Sequence, residues 1–368
     1  MKIAIITMHA ARNYGAVLQT YALQHYCEKI GYDAEVIDYK LPNQTTKGYL
    51  LNINSKFKKN VFLKTAYLAK TVLPKCITTK LFSDFIKRRL KTSKPVKIEN
   101  GEIKYPKADI YCAGSDQIWN PRANDGFNSA YFLKGARGKK FSYASSIGID
   151  SLTPSEQSEI KEYLKDFNYI SVRELSSIPM LNQIGYSPVC VLDPTLMLNK
   201  DEWNDFSNDF EKEEVNGEAY LLVYYFGNAK AVMNYASQIA KKRGLKIRRI
   251  SVGFEKYSND VIVERFVTPE RFVSLFSNAS YVITNSFHGT VFSINFEKQF
   301  LGYPTTENNA RFASVFQMFG LEDRNLRLYS ADEAVNISDI DYTSVSTILE
   351  NKRKDSGEYI KCALHNEV

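Results

Sequence analysis

One stretch of the chain, YVITNSFHGTVF at Tyr281–Phe292, restricts the fold more than any other. Its first residues are typical of a buried strand and its last residues begin a helix, with polar residues and a glycine between them. In open α/β sheets, a turn at the carboxyl end of a strand binds ligands, and a helix N-terminus favours anions. The candidate residues of this turn are Asn285, Ser286, His288, Gly289 and Thr290.

His288 is one of only four histidines in the chain. The stretch alone leaves two interpretations of it open. In the first, His288 binds a ligand or takes part in catalysis, because its ordinary pKa lies in a useful range. In the second, it is a structural residue that caps the following helix or bonds a buried backbone group.

The N-terminal end has the same strand–turn–helix order. Lys2–Thr7 (KIAIIT) is a continuous apolar run typical of a strand covered on both faces; a helix follows, and Glu35–Tyr39 (EVIDY) predicts the next strand. This order favours the parallel α/β class, and the turn lacks the GxGxxG pattern of dinucleotide-binding folds. Its residues Asn13, Tyr14 and Gly15 are candidates for a ligand-binding loop. Alternatively, Asn13 caps the helix and Gly15 only relieves crowding.

A second strand end of the first half carries polar groups. The predicted strand Ala108–Ala113 (ADIYCA) leads into GSDQ, so Ser115, Asp116 and Gln117 lie on a loop at the same edge of the sheet. Three roles are open to Asp116: general acid or base, a group that orients a hydroxyl, and a helix cap.

Arg173 ends the predicted strand Tyr169–Glu174 (YISVRE). A guanidinium group at a strand end suits a bidentate grip on phosphate or carboxylate. The alternative is an ion pair with Glu174 or Asp193.

Strands and helices alternate again in the second half, and at 368 residues the chain is too long for one ordinary core. We place the domain boundary near residue 195. We therefore predict an α/β fold with two Rossmann-like domains that face each other across a cleft, residues 1–195 and 196–368. The last predicted helix covers Tyr342–Arg353, and we expect the extreme C-terminus to be loose.

The net charge of +7 is concentrated in one segment. Residues 47–97 contain 14 Lys or Arg and one acidic residue, Asp84. This block lies in a predicted helical excursion, residues 43–98, and is a candidate for peripheral contact with anionic lipid heads or phosphate-bearing acceptors. The alternative is an ordinary solvated helical face. Since no recognised binding motif accompanies the charge, no nucleic-acid partner is predicted.

The five cysteines are scattered, with no CxxC pair and no histidine at metal-ligand spacing. We interpret them as reduced thiols of a cytoplasmic protein, and we predict no metal site. The first residues lack the apolar core of a signal peptide. No apolar run reaches the length that a bilayer requires.

Five pieces of the chain together resemble the polysaccharide pyruvyl transferase family: NYGAVLQTYALQ, GSDQIWNP, SVRE, VLDPTLML and NSFHGTVFSI. The resemblance covers roughly residues 1–325 and is weaker over 43–98. It implies a fold similar to the two-domain GT-B glycosyltransferases. It also implies transfer of pyruvate from phosphoenolpyruvate to a sugar, forming a cyclic ketal. Such enzymes modify bacterial cell-surface polysaccharide precursors, such as capsule and exopolysaccharide, often as lipid-linked oligosaccharides at the inner face of the plasma membrane.

The resemblance also implies roles for single residues. Arg173 matches the family's strand-end arginine and His288 its histidine, and both are implicated in holding the phosphate and carboxylate of phosphoenolpyruvate. A further basic residue is expected near position 308, where this chain has Asn308, and Arg311 is the nearest cation. The first domain then takes the acceptor and the second the donor. No cofactor other than the donor substrate is implied.

These implications lead to a set of expected roles. His288 is expected to act as proton donor or phosphate ligand, and Asp116 to activate or orient the sugar hydroxyl. The amides of Gly289 and Thr290 are expected to bind the donor anion. Asn13, Tyr14 and Gln117 are expected to line the acceptor side.

Two other functions suit the same fold. The first is a GT-B glycosyltransferase that uses a nucleotide sugar. Retaining members often have two glutamates spaced by seven residues in the donor loop, whereas the first two after His288 here are Glu297 and Glu307. The second is a non-catalytic relative that binds a sugar or an anion.

Overall fold

The computed structural model describes residues 1–53, 61–99, 102–208, 218–227, 230–254, 257–305 and 309–365. Strands and helices alternate through both halves. The elements of the first half are β1 (Lys2–Ile6), α1 (Tyr14–Lys29), β2 (Asp33–Val36), α2 (Thr46–Leu51), α3 (Val61–Arg89), β3 (Lys97–Glu99), β4 (Glu102–Lys104), β5 (Ile110–Ala113), β6 (Lys139–Ser142), α4 (Pro154–Leu164), β7 (Ser171–Val172), α5 (Ser177–Asn182) and β8 (Val189–Cys190).

A four-stranded parallel sheet in the order β2-β1-β5-β6 forms the centre of the first half. Ile3 and Ile5 in the middle of β1 are fully buried, as expected of a parallel strand that is covered on both faces. Helix α1 begins where Asn13 caps it: the Asn13 side-chain oxygen accepts a hydrogen bond from Ala16 N at 3.3 Å. The loops that follow β1 and β5 therefore lie at the same edge of the sheet.

The second half has a five-stranded parallel sheet in the order β11-β10-β9-β12-β13. Two short helices connect the first half to this sheet, and they come first among the elements of the second half. In chain order these elements are α6 (Pro194–Met197), α7 (Lys200–Asn208), β9 (Tyr220–Tyr224), α8 (Lys230–Arg243), β10 (Lys246–Ser251), β11 (Val261–Arg265), α9 (Pro269–Ser277), β12 (Tyr281–Thr284), α10 (Phe287–Asn295), β13 (Gln299–Gly302), α11 (Asn309–Phe319), α12 (Ala331–Ala334) and α13 (Tyr342–His365).

The predicted α/β architecture, two Rossmann-like domains with parallel sheets that face each other across a cleft, is confirmed. Three details differ from the sequence predictions. The antiparallel pair β3–β4 was not predicted, and β3 begins inside the segment predicted to be helical. Strand β11 was not predicted, because it is short and lies at the edge of its sheet, where only Val261 is buried. The C-terminus is not loose over its described part, because α13 runs to His365.

Helix α13 returns from the second sheet to pack against the first half. Ser356 Oγ accepts a hydrogen bond from the backbone N of Leu192 at 3.0 Å. The Tyr359 hydroxyl donates to the carbonyl of Ser142 at 2.9 Å. Ile360, Ala363 and Leu364 on the same helix are buried. The sequence pattern predicts that the helix ends at Arg353. These contacts stabilise the further turns that extend it to His365.

The two halves share one hydrophobic cluster, and Tyr14 lies at the centre of their contact. Its ring stacks on Phe272 of the second half, with centroids 4.5 Å apart, and contacts Phe82 of α3 at 5.1 Å. Its hydroxyl donates to the carbonyl of Val267 at 2.9 Å. Burial raises the pKa of this phenol, so it stays protonated as a donor. Tyr14 therefore fixes the start of α1 against the second domain.

The basic excursion is helical over its described residues, through α2 and the long helix α3. The C-terminal half of α3 packs into the body of the protein: Phe82 and Phe85 are buried. Arg88 and Arg89 lie 3.3 Å from the buried carboxylate of Glu270 in the second domain. Among the residues that the structure describes, no helix is long and apolar enough to cross a membrane.

Replacing Tyr14 by Phe tests the contact between the domains. The substitution keeps the ring and leaves the Val267 carbonyl without its donor, so the free energy of unfolding should fall by about 1 kcal/mol in chemical denaturation. Tyr32→Phe is the matched control, because the Tyr32 hydroxyl lies 3.4 Å from a nitrogen of the exposed His365, and it should cost about 0.5 kcal/mol or less. Equal effects of the two substitutions would contradict a special role for Tyr14.

Candidate active site

Loops from both sheets meet in a cleft of about 600 Å³ between the domains. The first domain contributes the loop after β1 and the loop after β5, and the second contributes the loop after β9 and the turn between β12 and α10. The residues that line the cleft are Met8, Ala11, Asn13, Ala16, Asp116, Gln117, Phe226, Gly227, Asn285, Ser286, Phe287, His288, Thr305 and Arg311. The loops in which the sequence predicts ligand-binding residues therefore meet at this cleft.

The imidazole of His288 lies directly on the backbone of Gly15. A methyl group added at Gly15 would lie 1.9 Å from His288 Nδ1 and 2.2 Å from Cγ. Only glycine fits here, because any larger residue would overlap the ring. The contact crosses the domain boundary, since Gly15 belongs to the first turn of α1 and His288 to the first turn of α10. The Gly15 backbone therefore packs directly against the His288 ring.

Burial sets the protonation of His288. The pKa of the ring is lowered from its ordinary 6.5 mainly because burial removes the hydration of the charged form. The carboxylates of Asp193 and Asp116 oppose this shift, whereas Arg173 and Arg311 add to it. The ring is therefore neutral near pH 7. Its Nε2 is buried without a hydrogen-bond partner among the described residues.

A buried ion-pair cluster lies behind His288. Arg173 donates from Nη1 to Asp193 Oδ2 and from Nε to Glu174 Oε1, each at 3.0 Å. The Asp193 Oδ2 atom also accepts from Ser115 Oγ at 3.1 Å and lies 3.8 Å from His288 Nε2. Arg173 and Asp193 are almost fully buried. The alternative weighed for Arg173, an ion pair with Glu174 or Asp193, is therefore the arrangement in the structure.

The cluster holds its charges despite burial. Burial by itself raises the pKa of Asp193, but the electrostatic interactions with His288 and Arg173 and the hydrogen bonds from Thr195 outweigh this effect, and the net shift is downward. For Arg173, burial lowers the pKa while the neighbouring carboxylates raise it, and the net shift is upward. One donor, Arg173 Nη2, is buried without a partner among the described residues. Such an atom binds ordered water or a ligand oxygen.

Two helix N-termini open onto the cleft. Asn13 caps α1, and Ser286 caps α10 through a hydrogen bond from Gly289 N to Ser286 Oγ at 3.3 Å. Because each helix begins with unpaired amides and a partial positive charge, the two ends favour an anion between them. Arg311, in the first turn of α11, adds a cation to the same cleft.

Asn285 joins two loops of the second domain. Its side-chain oxygen accepts from Phe226 N at 2.8 Å, and its side-chain nitrogen donates to the Phe226 carbonyl at 2.9 Å. This pair of bonds fixes the loop after β9. The Phe226 side chain is 48% exposed and lines the cleft, so an aromatic surface faces the otherwise polar groups.

Asp116 has a strained backbone. Its φ of 72° and ψ of 179° fall in a region that is populated almost only by glycine. The Asp116 side chain accepts a hydrogen bond from Gln117 N at 2.8 Å, and its carbonyl accepts from Ser146 N at 3.0 Å. Asp116 therefore caps a short 3-10 helix, one of the roles considered for it. The same conformation brings it to the wall of the cleft.

Several residues predicted to bind substrate do not line the cleft. The Tyr14 ring lies between the domains, and the Ser115 hydroxyl is bonded to Asp193. The Thr290 hydroxyl donates to the Ser286 carbonyl at 3.2 Å inside α10. The Gly289 amide is taken by the helix cap, and its Cα packs against Thr284. The expectation that Gly289 and Thr290 supply free amides is therefore corrected.

Other residues have positions that sequence reasoning missed. Asp193 was considered only as a partner for Arg173, yet it also faces His288. No role in a site was predicted for Phe226. Met8, Ala11 and Thr305 line the cleft without any chemical signal in their sequence. The prediction about position 308 lies outside the described residues. Among the described residues, no cluster of histidine, cysteine or acidic side chains could hold a metal ion.

A larger hollow of about 980 Å³ lies at the opposite end of the first sheet, beside the starts of β5 and β6. Its lining includes Lys107, Arg137 and Lys140, and Lys140 pairs with Asp166 at 3.4 Å. None of the predicted site residues lies there. We assign the active site to the smaller cleft, because the histidine, the helix N-termini and Arg311 converge in it.

Residues 13–306 match the model of the family described as polysaccharide pyruvyl transferase. The chain belongs to this family. The matched range includes every residue that lines the cleft from the second domain except Arg311. The family is one of transferases, and its description implies a polysaccharide acceptor.

Solved structures resemble this family member only in general architecture. The UDP-GlcNAc 2-epimerase of Neisseria meningitidis has 11% identity and a TM-score of 0.48, covering 98% of this chain and 100% of its own. That of Methanocaldococcus jannaschii has 14% identity and a TM-score of 0.47, covering 99% of each chain. The spinosyn forosaminyltransferase SpnP has 10% identity and a TM-score of 0.45, covering 98% and 95%. No curated protein matches the chain.

Substituting Gly15 by Ala tests the support of the histidine. The added methyl group would overlap the imidazole, so Gly15→Ala should lower the free energy of unfolding by about 1–3 kcal/mol. The His288→Ala background removes the overlapping ring. In that background, Gly15→Ala should lower the free energy of unfolding by about 0.5 kcal/mol or less. The difference between the two effects is the coupling energy of the residues, which a double-mutant cycle measures by denaturation. Additive effects would show that the two residues are independent.

The lowered pKa of His288 predicts a pH effect on stability. Below about pH 6.5 the unfolded chain binds a proton at this residue that the folded chain does not yet bind. The stability is therefore complete above pH 6.5 and is lost as the pH falls towards the folded pKa. Between about pH 7 and 5, the free energy of unfolding should fall more steeply for the native protein than for His288→Gln. Asp193, whose pKa is also lowered, acts in the same direction at lower pH. Parallel curves would contradict the shift.

Proposed function

We propose that this protein transfers pyruvate from phosphoenolpyruvate to a sugar of a polysaccharide precursor and forms a cyclic ketal. The observation that carries the proposal is the buried, unpartnered Nε2 of His288, in a cleft between two helix N-termini and beside Arg311. Such a cleft suits a small anion. Membership of the family supports the pyruvyl group as the cargo.

The reaction needs one proton delivered and one hydroxyl activated. A proton adds to the methylene carbon of phosphoenolpyruvate, and the adjacent carbon becomes an oxocarbenium-like centre. One sugar hydroxyl attacks that carbon and loses its proton to a base. The carbon–oxygen bond to phosphate then breaks, a second hydroxyl closes the ring, and its proton leaves with the phosphate. The products are the ketal and inorganic phosphate.

The second domain provides the donor side. The phosphate and carboxylate of phosphoenolpyruvate are ionised near neutral pH, so they suit the start of α10 and the guanidinium of Arg311. Burial lowers the pKa of His288, so the ring by itself is neutral near pH 7. An anion beside the ring raises its pKa and favours the protonated form. Donor binding would thereby produce the acid that protonates the methylene carbon or holds the phosphate.

The first domain provides the acceptor side. Asp116 lies on the cleft wall with Asn13 and Gln117, and its carboxylate suits the activation or orientation of a sugar hydroxyl. Phe226, exposed on the facing loop, offers a flat apolar surface on which a pyranose ring can stack. The strain in the Asp116 backbone is typical of a residue held in a functional position.

Arg173 has a supporting role in this proposal. Two of its three nitrogens are bonded to the buried carboxylates of Asp193 and Glu174, so it holds Asp193 beside His288. Arg173→Ala is therefore expected to reduce stability as well as activity, because removing one partner of a buried ion pair costs about 3–5 kcal/mol.

The test is phosphate release from phosphoenolpyruvate with a panel of galactose-, mannose- and glucose-type acceptors, some with a lipid-like aglycone. The native protein should release phosphate only when an accepting sugar is present. His288→Gln, which keeps a polar side chain of similar reach, should lower turnover about 100-fold or more. Circular dichroism should show that the variant is folded.

Thermal shift separates the proposal from its alternatives. Phosphoenolpyruvate should raise the melting temperature, and nucleotide sugars should not. Stabilisation by a nucleotide sugar alone would indicate a glycosyltransferase. Stabilisation by phosphoenolpyruvate without phosphate release for any acceptor would indicate an anion-binding relative.

A further inference from the structure

We propose that the arm formed by α2 and α3 docks the protein on an anionic phospholipid surface. The α2–α3 arm comprises Thr46–Leu51 and Val61–Arg89. The proposal goes beyond the transfer reaction and rests on a different surface. Two independent features of the arm carry it, its exposed apolar side chains and its charge.

Exposed large apolar side chains are concentrated on this arm. Phe62 is 87% exposed, Leu73 59%, Leu51 58% and Val72 39%. Single exposed apolar residues are common on protein surfaces, but a group of them in one segment marks an interaction site. A bilayer interface suits such residues, because aromatic and aliphatic side chains insert at the boundary of head groups and acyl chains.

Exposed apolar residues and exposed lysines lie at helical spacing along α3. Phe62 and Leu73, 11 residues apart, lie on one face of the part that precedes Pro74, and Lys80 and Lys87, seven residues apart, lie on one face of the part that follows it. All four are exposed. The whole of α3 contains seven Lys or Arg and one acidic residue, Asp84. A helix with exposed apolar and basic residues is typical of attachment to anionic lipid.

The C-terminal half of α3 is fixed to the body of the protein, so attachment of the arm to a surface would also attach the body. Phe85 packs on Phe206 with centroids 6.1 Å apart, and Arg89 lies over the same ring at 5.2 Å. Arg88 and Arg89 reach the buried carboxylate of Glu270 in the second domain. The exposed apolar residues of α3 lie in its other half. One end of the helix is therefore fixed in the body and the other presents the docking face.

The fixed end of α3 lies next to the active-site cleft. Lys87 borders a hollow of about 350 Å³ that is also lined by Ala10 and Arg12. Their chain neighbours Ala11 and Asn13 line the cleft. Helix α3 therefore connects the exposed apolar residues of the arm to the border of the cleft.

A second copy of the chain is the competing occupant of this face. The charge argues against it, because two copies would bring their basic helices together and repel each other. An anionic lipid surface complements both the charge and the apolar residues, so we commit to it.

Vesicle flotation with the full-length protein tests the proposal. The protein should float with phosphatidylcholine vesicles containing about one third phosphatidylglycerol, and not with phosphatidylcholine alone. Raised salt should weaken the binding. Phe62→Ser with Leu73→Ser should weaken it about tenfold or more, because two inserting side chains are lost. Lys80→Glu with Lys87→Glu should weaken it by a similar factor.

Matched controls lie elsewhere on the surface. Ile262→Ser with Leu328→Ser removes two exposed apolar side chains of the second domain. Lys354→Glu with Lys361→Glu reverses two exposed charges on α13 at the same seven-residue spacing as Lys80 and Lys87. Both control pairs should bind vesicles like the native protein. Equal losses in the controls, or no flotation of the native protein, would overturn the proposal.

Two further measurements make the outcome specific. Mass photometry of the native protein and of Phe62→Ser with Leu73→Ser detects self-association; a dimer that only the native protein forms, without flotation, would assign the face to a second copy and overturn the lipid proposal. Phosphate release with a water-soluble acceptor should be unchanged by Phe62→Ser with Leu73→Ser. Flotation needs no turnover, so failure of the proposed reaction and failure of lipid docking are distinguishable.

Discussion

The contact between the His288 ring and the Gly15 backbone joins the two domains at the point where both sheets present their loops. Because the ring occupies the space that a side chain at position 15 would need, the first turns of α1 and α10 must lie side by side. Their N-terminal ends then face one cleft. The Tyr14 ring, packed on Phe272, holds the same helix start in place. The site is therefore a property of the domain interface and not of either domain alone.

Desolvation explains the electrostatic design of the cleft. Arg173 and Asp193 are buried as an ion pair, which keeps both charged. His288 is buried next to them without a hydrogen bond to Nε2 and is kept neutral. The histidine thus remains sensitive to an added charge, because its protonation depends on a balance between lost hydration and nearby carboxylates. An incoming anion changes that balance in a way that a surface histidine would not experience.

Much of the fold and of the site could be predicted from local patterns. The apolar runs predicted the strands, and in parallel sheets all carboxyl ends point to one edge, so Asp116 and His288 were expected at one cleft and are found there. Helix α13 was predicted too short, since its last turns depend on contacts with the first domain rather than on a pattern of its own. Phe226 was missed because an aromatic residue at a strand end does not indicate whether it faces solvent.

The sequence by itself determined the two parallel α/β halves and the loops that carry the polar groups, because hydrophobic periodicity and turn residues act over a few neighbouring positions. Only the tertiary structure decided how those groups are used. Arg173 looked like a free phosphate ligand and is instead bonded to Asp193, and Gly15 looked like a loop residue and supports His288. Burial and distance decide such roles, and both arise only when segments far apart in the chain pack together.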